Sequence, residues 1–168
     1  KHYFCPKEET DDMATTASHM LSAESNRELE LARQFIEQTD TNVFLTGKAG
    51  TGKTTFLKEL KQSNTKRMVV LAPTGVAAIN AGGMTIHSFF QLKFGPFLPN
   101  GHKEKEGWFR KDKLQIIRTL DLLVIDEISM VRSDVLDAID DTLRRIRRSH
   151  KPFGGVQLLM IGDIEQLP

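Results

Sequence analysis

Cysteine is almost absent: Cys5 is the only one among 168 residues. A single thiol excludes an internal disulfide and a cysteine-built zinc site, and it suits a reducing compartment. Long apolar runs are missing too. None approaches the roughly 18 residues a membrane-spanning helix needs, and no stretch reads as a secretory leader. The expectation is an intracellular protein with no membrane partner. Charge of one sign is also lacking. There are 23 Lys and Arg against 22 Asp and Glu, a net charge of +1. Whole-chain charge therefore indicates no partner, and any basic footprint must be local. Repeats and low-complexity tracts are absent. What remains, 39% hydrophobic and 27% charged, is the composition of a globular protein long enough to build one real core.

The two ends stand apart from that core. Residues 1–20 lack apolar periodicity, and Ser18-His19-Met20 resembles a cloning junction, so a tag or leader is expected there, ahead of a domain over 21–168. Leu167-Pro168 directly follows a strand-like run and a charged turn, which reads as a truncation. Between the ends, Leu29, Leu31, Ala32, Phe35 and Ile36 recur at helical spacing within Ser22–Gln38. Val43–Thr46, Met68–Ala72, Leu122–Ile125 and Val156–Ile161 read as buried strands. Thr55–Lys61 has helical character, and Pro73 suits the first turn of a helix running to Asn80. Ser133 can cap a helix whose Val135, Leu136, Ile139, Leu143 and Ile146 share one face. Apolar strands alternating with helices predict an α/β domain: a parallel sheet with helices on both faces.

One stretch breaks the rhythm. Leu92–Lys113 carries Gly95, Pro96, Pro99, Gly101 and Gly107, six Lys or Arg, and Phe94, Phe97, Trp108 and Phe109. It is too long for a simple connection and reads either as a functional insertion or as a solvated loop with buried aromatics. The basic run Arg144, Arg145, Arg147, Arg148 and Lys151 reads as a solvated helix end favoured by the helix dipole.

Chemistry concentrates at three places. Gly47-Lys48-Ala49-Gly50-Thr51-Gly52-Lys53-Thr54 matches the phosphate-loop pattern GxxxxGK[ST] in full. Its glycines let successive N–H groups turn toward phosphate oxygens, and the helix that follows offers its N-terminus to the same anion. Lys53 would reach the β- and γ-phosphates of ATP, the Thr54 hydroxyl would bind Mg²⁺, and Thr55 lies beside them. Asp126-Glu127 closes a buried strand, where an open α/β sheet places its ligand. In that setting Asp126 would hold the Mg²⁺ shell and Glu127 would orient and deprotonate the attacking water. Alone, such a pair reads equally as a helix cap. Gln166 follows the last strand and could bond the γ-phosphate or the attacking water; on its own it is also an ordinary polar turn.

Together, three blocks resemble the Pif family of superfamily-one DNA helicases, kin of RecD. They are Gly47–Thr54, then Ala72-Pro73-Thr74-Gly75-Val76-Ala77-Ala78 with Thr85-Ile86-His87-Ser88-Phe89-Phe90, then Asp126-Glu127-Ile128-Ser129-Met130 closed by Gly162-Asp163-Ile164-Glu165-Gln166-Leu167-Pro168. The likeness covers nearly all of Leu21–Pro168, and its compact spacing suggests a bacterial member, hence a bacterial cytoplasm. It implies the first RecA-like P-loop NTPase domain of a translocase that uses ATP to move 5′ to 3′ on single-stranded DNA. Single/double-strand junctions and G-quadruplexes are among the structures it implies as substrates. By the same likeness Pro73, Thr74, Thr85, His87 and Phe89 contact DNA, with Thr74 and His87 foremost. Leu92–Lys113 corresponds to a small wedge subdomain, and a second RecA-like domain of the same chain supplies arginine fingers and half of the DNA groove.

One departure stands out. The family reads adenine with a Gln near its first helix, in a pattern like Leu-Ser-x-Glu-Gln. Here Leu21-Ser22-Ala23-Glu24 is followed by Ser25 and Asn26, and Asn26 is the amide placed to take that part. Rival readings are a RecD-like nuclease subunit, an AAA-type remodeller, or a non-catalytic nucleotide-dependent DNA-binding module.

Overall fold

A computed structural model describes residues 27–48, 50–93, 95 and 109–163. Helix α1 covers residues 27–38, and the chain then enters β1 (Val43–Thr46). Next come α2 (Lys53–Ser63), β2 (Met68–Ala72), α3 (Gly75–Asn80), β3 (Met84–Thr85) and α4 (Ile86–Phe90). Helix α5 (Lys111–Thr119), β4 (Leu122–Ile125), α6 (Ser133–Arg147) and β5 (Gln157–Gly162) complete the order. The five strands form one sheet in the order β1-β5-β4-β2-β3, and every pair is parallel.

Strand sequence explains the layers. Side chains alternate faces along a strand, and these strands are apolar on both. Leu123, Ile125, Leu158 and Leu71 join Phe89, Phe90, Ile117, Ile139, Leu143 and Ile146 from α4, α5 and α6. Leu122, Val124, Leu159, Ile161 and Val70 face Ala32 and Ile36 of α1 and Phe56, Leu57 and Leu60 of α2. Helices thus cover both faces of the central strands, as the apolar runs predict, but β1 is corrected: as an edge strand it buries only Leu45 and leaves Phe44 44% exposed.

Local chemistry corrects several expectations. Pro73 precedes α3 and does not lie in its first turn; Thr74 is the cap, its side chain accepting from the Ala77 N–H at 3.2 Å. Ser133 is the first residue of α6, and Arg132 holds the cap position without a side-chain cap bond. The last strand starts one residue late, at Gln157. A fifth strand, β3, is only two residues long, with Ala72 opposite Thr85. Within Leu92–Lys113, Phe109 is buried in the core and α5 opens at Lys111; Phe94, Phe97 and Trp108 lie outside the described residues.

Arg147 departs furthest from expectation. It is not a solvated helix end. Its Nε donates to the Gly154 carbonyl at 2.9 Å, and Nη1 donates to those of Ile117, Arg118 and Leu120 at 3.0, 2.9 and 2.9 Å. These are the carbonyls that the end of α5 leaves without helical partners, so one guanidinium joins α5, α6 and the turn before β5.

Candidate functional site

The carboxyl ends of β1, β5 and β4 meet at one edge of the sheet, and the chain leaves each of them through a turn that carries chemistry. After β1 the loop needs left-handed backbone twice, at Gly50 (φ 84°) and Gly52 (φ 88°), which glycine supplies without steric cost. Gly52 opens α2, its carbonyl taking the first helical bond from the Phe56 N–H at 2.8 Å. No side chain caps this helix and no acid sits in its first turn. Its leading N–H groups are therefore free of capping oxygens and carry the positive end of the dipole. That is the arrangement an anion requires.

Lys53 folds back across the loop. Its Nζ donates to the carbonyls of Gly47 and Lys48, the second at 2.8 Å, and lies 3.5 Å from Thr51 Oγ1. Thr51 Oγ1 in turn donates to the Lys48 carbonyl at 2.9 Å. A phosphate would compete with those neutral carbonyls for the ammonium, and a charged acceptor makes the stronger bond.

Opposite the loop, Asp126 and Glu127 leave β4. The Asp126 N–H donates to the Leu71 carbonyl at 2.9 Å, which fixes the turn to β2. Asp126 Oδ1 accepts from the Glu127 N–H at 3.0 Å. Burial pushes the Asp126 carboxyl above the usual range, opposed by that N–H and by the charge of Lys53. Glu127 holds φ 53° and ψ 44°, a left-handed conformation that a non-glycine residue rarely adopts and that recurs at functional sites.

Gly50, Gly52, Lys53, Thr54, Thr55, Asp126, Glu127, Gly162 and Asp163 line a single cleft of about 340 Å³. The residues expected to bind phosphate and metal therefore converge. A group of three or more His, Cys, Asp or Glu able to hold a metal is absent among the described residues. Mg²⁺ needs no such cage, since it takes one or two protein oxygens and completes its shell with phosphate and water; Thr54 and Asp126 fit that role. A second cleft of about 370 Å³ runs between α1 and α2 and shares Gly52 and Thr55 with the first.

Two lining residues, quoted in the sequence only as part of the closing block, were given no site role there. Asp163 is 7% exposed and stands after β5 as Asp126 stands after β4. Gly162 sits where a Cβ would come within 2.8 Å of Ile128 Cγ2 and 3.2 Å of the Ser129 N, so the turn after β4 packs directly on the end of β5. The signal available in the sequence was a Gly-Asp pair closing an apolar strand. Ala49, Asn26 and Gln166 lie outside the described residues.

The residues expected to touch DNA lie toward the same edge, after β2 and β3, the next two strands beyond β4. Thr74 follows β2, and Thr85 ends β3 and caps α4, its side chain accepting from the Ser88 N–H at 3.3 Å. Two threonine-capped helix starts thus stand side by side, with half-buried His87 in the first turn of α4. Phe89 is corrected. Its ring is 3% exposed in the core, packed edge-on against Phe90 at 4.9 Å with the Lys113 ammonium 5.5 Å away, which leaves no face for a base.

Comparison with known proteins bears on this geometry. The family model described as PIF1-like helicase matches residues 20–168. The chain belongs to that family. ATP-dependent DNA helicase PIF1 of Saccharomyces cerevisiae is 42% identical over 132 residues, covering 76% of this chain and 15% of the yeast protein. The RRM3 helicase of the same species is 39% identical over 146 residues, covering 84% of this chain and 20% of its own. Among solved structures, Bacteroides Pif1 in complex with ADP-AlF4 superposes with TM-score 0.78 at 51% identity, over 84% of this chain and 32% of that one. Bacteroides Pif1 bound to single-stranded DNA gives 0.75 at 49% identity, over 88% and 33%. Candida albicans Pif1 gives 0.65 at 34% identity, over 84% and 33%. The chain therefore spans about a third of these solved chains and less of the curated relatives, and its sheet is that of a RecA-like domain.

Proposed function

We propose that this chain is the first motor domain of an ATP-dependent DNA helicase of the PIF1-like family. The observation that carries the reading is the carboxyl edge of the sheet. Lys53, Thr54, Asp126 and Glu127 line one cleft there, and Thr74 and Thr85 stand on the same edge, one and two strands beyond β4. ATP enters with its phosphates on the loop and the start of α2, and its nucleoside extends over Thr55 into the cleft between α1 and α2. Thr54 and Asp126 would hold Mg²⁺, which would supply positive charge beside the phosphates.

The chemistry then falls to the chain's own groups. Glu127 takes a proton from water, the water oxygen attacks the γ-phosphorus, and the bond from phosphorus to the bridging oxygen of ADP breaks. Lys53 stabilises the charge that spreads over the phosphoryl oxygens. Gln166 reports the γ-phosphate to the DNA side, Asn26 contacts adenine, and Thr74, Thr85, Pro73 and His87 hold single-stranded DNA. A second RecA-like domain of the full-length protein closes the cleft with arginines, so that turnover ratchets the strand 5′ to 3′ and opens duplexes at junctions. G-quadruplexes are a further substrate of this reading. Residues 92–113 act as the wedge, and residues 1–20 are a tag or leader outside the domain. Among the described residues no helix is long and apolar enough to cross a membrane. Identity of 51% to Bacteroides Pif1 against 34% to the Candida protein supports a bacterial, cytoplasmic member.

The test is ATP turnover by the full-length protein with and without single-stranded DNA, alongside unwinding of a tailed duplex. Stimulation and unwinding are expected without partner subunits, and Lys53→Ala abolishes both by removing the charge nearest the phosphates. Turnover indifferent to DNA would point to a remodeller, and unwinding that needs other subunits to a nuclease component.

A further inference from the structure

At the opposite, amino edge of the sheet, the strands begin after Asp121 and Val156, with Leu122 of β4 level with Gln157 of β5 and Met68 of β2. An open pocket of about 400 Å³ lies here, lined by Arg118, Ile146, Arg147 and Arg148. Three of its four walls are arginine. The ordinary reason for arginine at such a place is the run of unpaired carbonyls where helices end. That demand is already met. Arg147 serves the end of α5, and α6 closes on itself, the Ser149 N–H donating to the Arg144 carbonyl at 3.0 Å and the Arg148 N–H to that of Arg145 at 3.3 Å. The nearby acid is also engaged. Asp121 takes Arg67 in a two-point pair, Nε to Oδ2 at 2.8 Å and Nη2 to Oδ1 at 2.9 Å.

Arg118 and Arg148, both exposed, make no side-chain hydrogen bond or ion pair among the described residues. They flank a concavity whose apolar wall is Ile146, 2% exposed, with Arg147 pinned behind it. Two uncommitted guanidinium forks across such a pocket suit paired phosphate oxygens, which arginine binds bidentately. We propose that this pocket grips the phosphodiester backbone of DNA, as a second contact remote from the edge that holds nucleotide and single strand. The two edges are separated by the length of the strands, about 13 Å for a four-residue strand such as β4. The same DNA could therefore be held at two points on one domain, one that changes with nucleotide and one that does not. The inference rests on the proposed reading of the chain as a DNA motor.

The experiment compares the full-length protein with the Arg118→Gln/Arg148→Gln and Arg118→Lys/Arg148→Lys pairs. Affinity for a blunt duplex and for a single strand is measured across a salt series, with thermal melting to verify folding. Each lost phosphate contact lowers the salt slope by about 0.9 on duplex or about 0.7 on single strand. The glutamine pair is therefore expected to flatten the slope by about 1.8 or about 1.4, and the arm that responds identifies which form of DNA sits there. The lysine pair should keep the slope, and turnover at saturating single-stranded DNA should be unchanged in both. Unaltered slopes on both forms in the glutamine pair would overturn the proposal, as would a lysine pair that loses as much as the glutamine pair. Turnover that no DNA stimulates, even in the parent protein, would instead sink the motor reading on which it stands.

Discussion

Glu127 shows what a single residue carries here. Its left-handed backbone turns the chain sharply off β4 and sets the carboxylate on the cleft wall rather than along the strand. Glutamine keeps that shape and the neighbouring metal site but cannot take a proton. Glu127→Gln in the full-length protein should therefore bind nucleotide within a few-fold of the parent and lose at least about 10²-fold in turnover, the usual worth of a positioned base. Equilibrium binding and steady-state turnover check both halves, and near-parental turnover would remove Glu127 from its assigned role. Asp121 gives a pH signature at the other edge. The hydrogen bond from Arg67 holds its carboxyl below the ordinary range, so the folded state binds the proton less well than the unfolded chain. That stabilisation is present above the unfolded pKa and is lost as pH falls through the folded one. Asp121→Asn should lower the melting temperature at neutral pH, with the gap closing below about pH 4, near the reference carboxylate value. A constant gap would separate the effect from ionisation. Positions in the cleft were legible where the motif is local, as at Gly50, Gly52, Lys53 and Thr54, because neighbouring residues of one turn reach the cleft together. Asp163 and Arg147 were not, since burial of the one and the four carbonyls around the other depend on which strands and helices become neighbours.

Elements were legible in proportion to their apolar length. Strands β2, β4 and β5 stand out because both of their faces contribute to the core, whereas edge strand β1 buries only Leu45. Strand β3 has two residues and no periodicity, and it exists because the chain before it can approach β2 closely. A Cβ on Gly83 would lie 2.2 Å from the Val70 carbonyl oxygen, a backbone atom that cannot step aside. Gly83→Ala should therefore push β3 off β2 at a cost of about 3 kcal/mol. It should also move Thr85, weakening stimulation by DNA more than nucleotide binding. Chemical denaturation and the two titrations check this, and an unchanged stability would mean that β3 is not seated as described. Helix α5 was missed because its first turn lies in a lysine-rich stretch whose composition reads as loop, although Phe109 just before it and Ile117 within it are buried in the core. Those anchors define what can be removed from the expected wedge. Replacing residues 95–108 by a Gly/Ser linker in the full-length protein, leaving Phe109 and α5 intact, should spare most single-strand-stimulated turnover and cut unwinding at least about tenfold. An unchanged ratio of unwinding to turnover at saturating DNA would place strand separation elsewhere.

At the scale of the molecule, both proposed events share one edge of a five-stranded parallel sheet. In the proposed reading nucleotide would sit over β1, β5 and β4, and DNA over β2 and β3, which are neighbours in the sheet order. The link between them is short: the Asp126 N–H is bonded to the carbonyl of Leu71 in β2, the strand that leads into Thr74. In the same reading, that bond would give movement around a γ-phosphate a direct path toward the DNA contacts. Among the described residues the cleft is lined by the loop after β1, the first turn of α2, the turn after β4 and the end of β5, and it is open to solvent at Thr54 and Thr55; the chain spans about a third of the solved Pif1 chains it resembles. Arginines from a facing domain are worth about 10³–10⁵ in rate in P-loop enzymes. The 168-residue chain by itself should therefore bind nucleotide weakly, turn it over at least about 10³-fold more slowly than the full-length protein, and fail to unwind a tailed duplex. Its phosphate loop should nevertheless remain formed, since Gly50, Gly52 and the Lys53 contacts belong to this chain alone. Single-turnover ATPase on the isolated chain and on the full-length protein gives the comparison, with Lys53→Ala of each as the blank. Rates within tenfold of each other would show that the cleft is complete on this sheet and that no facing arginine takes part.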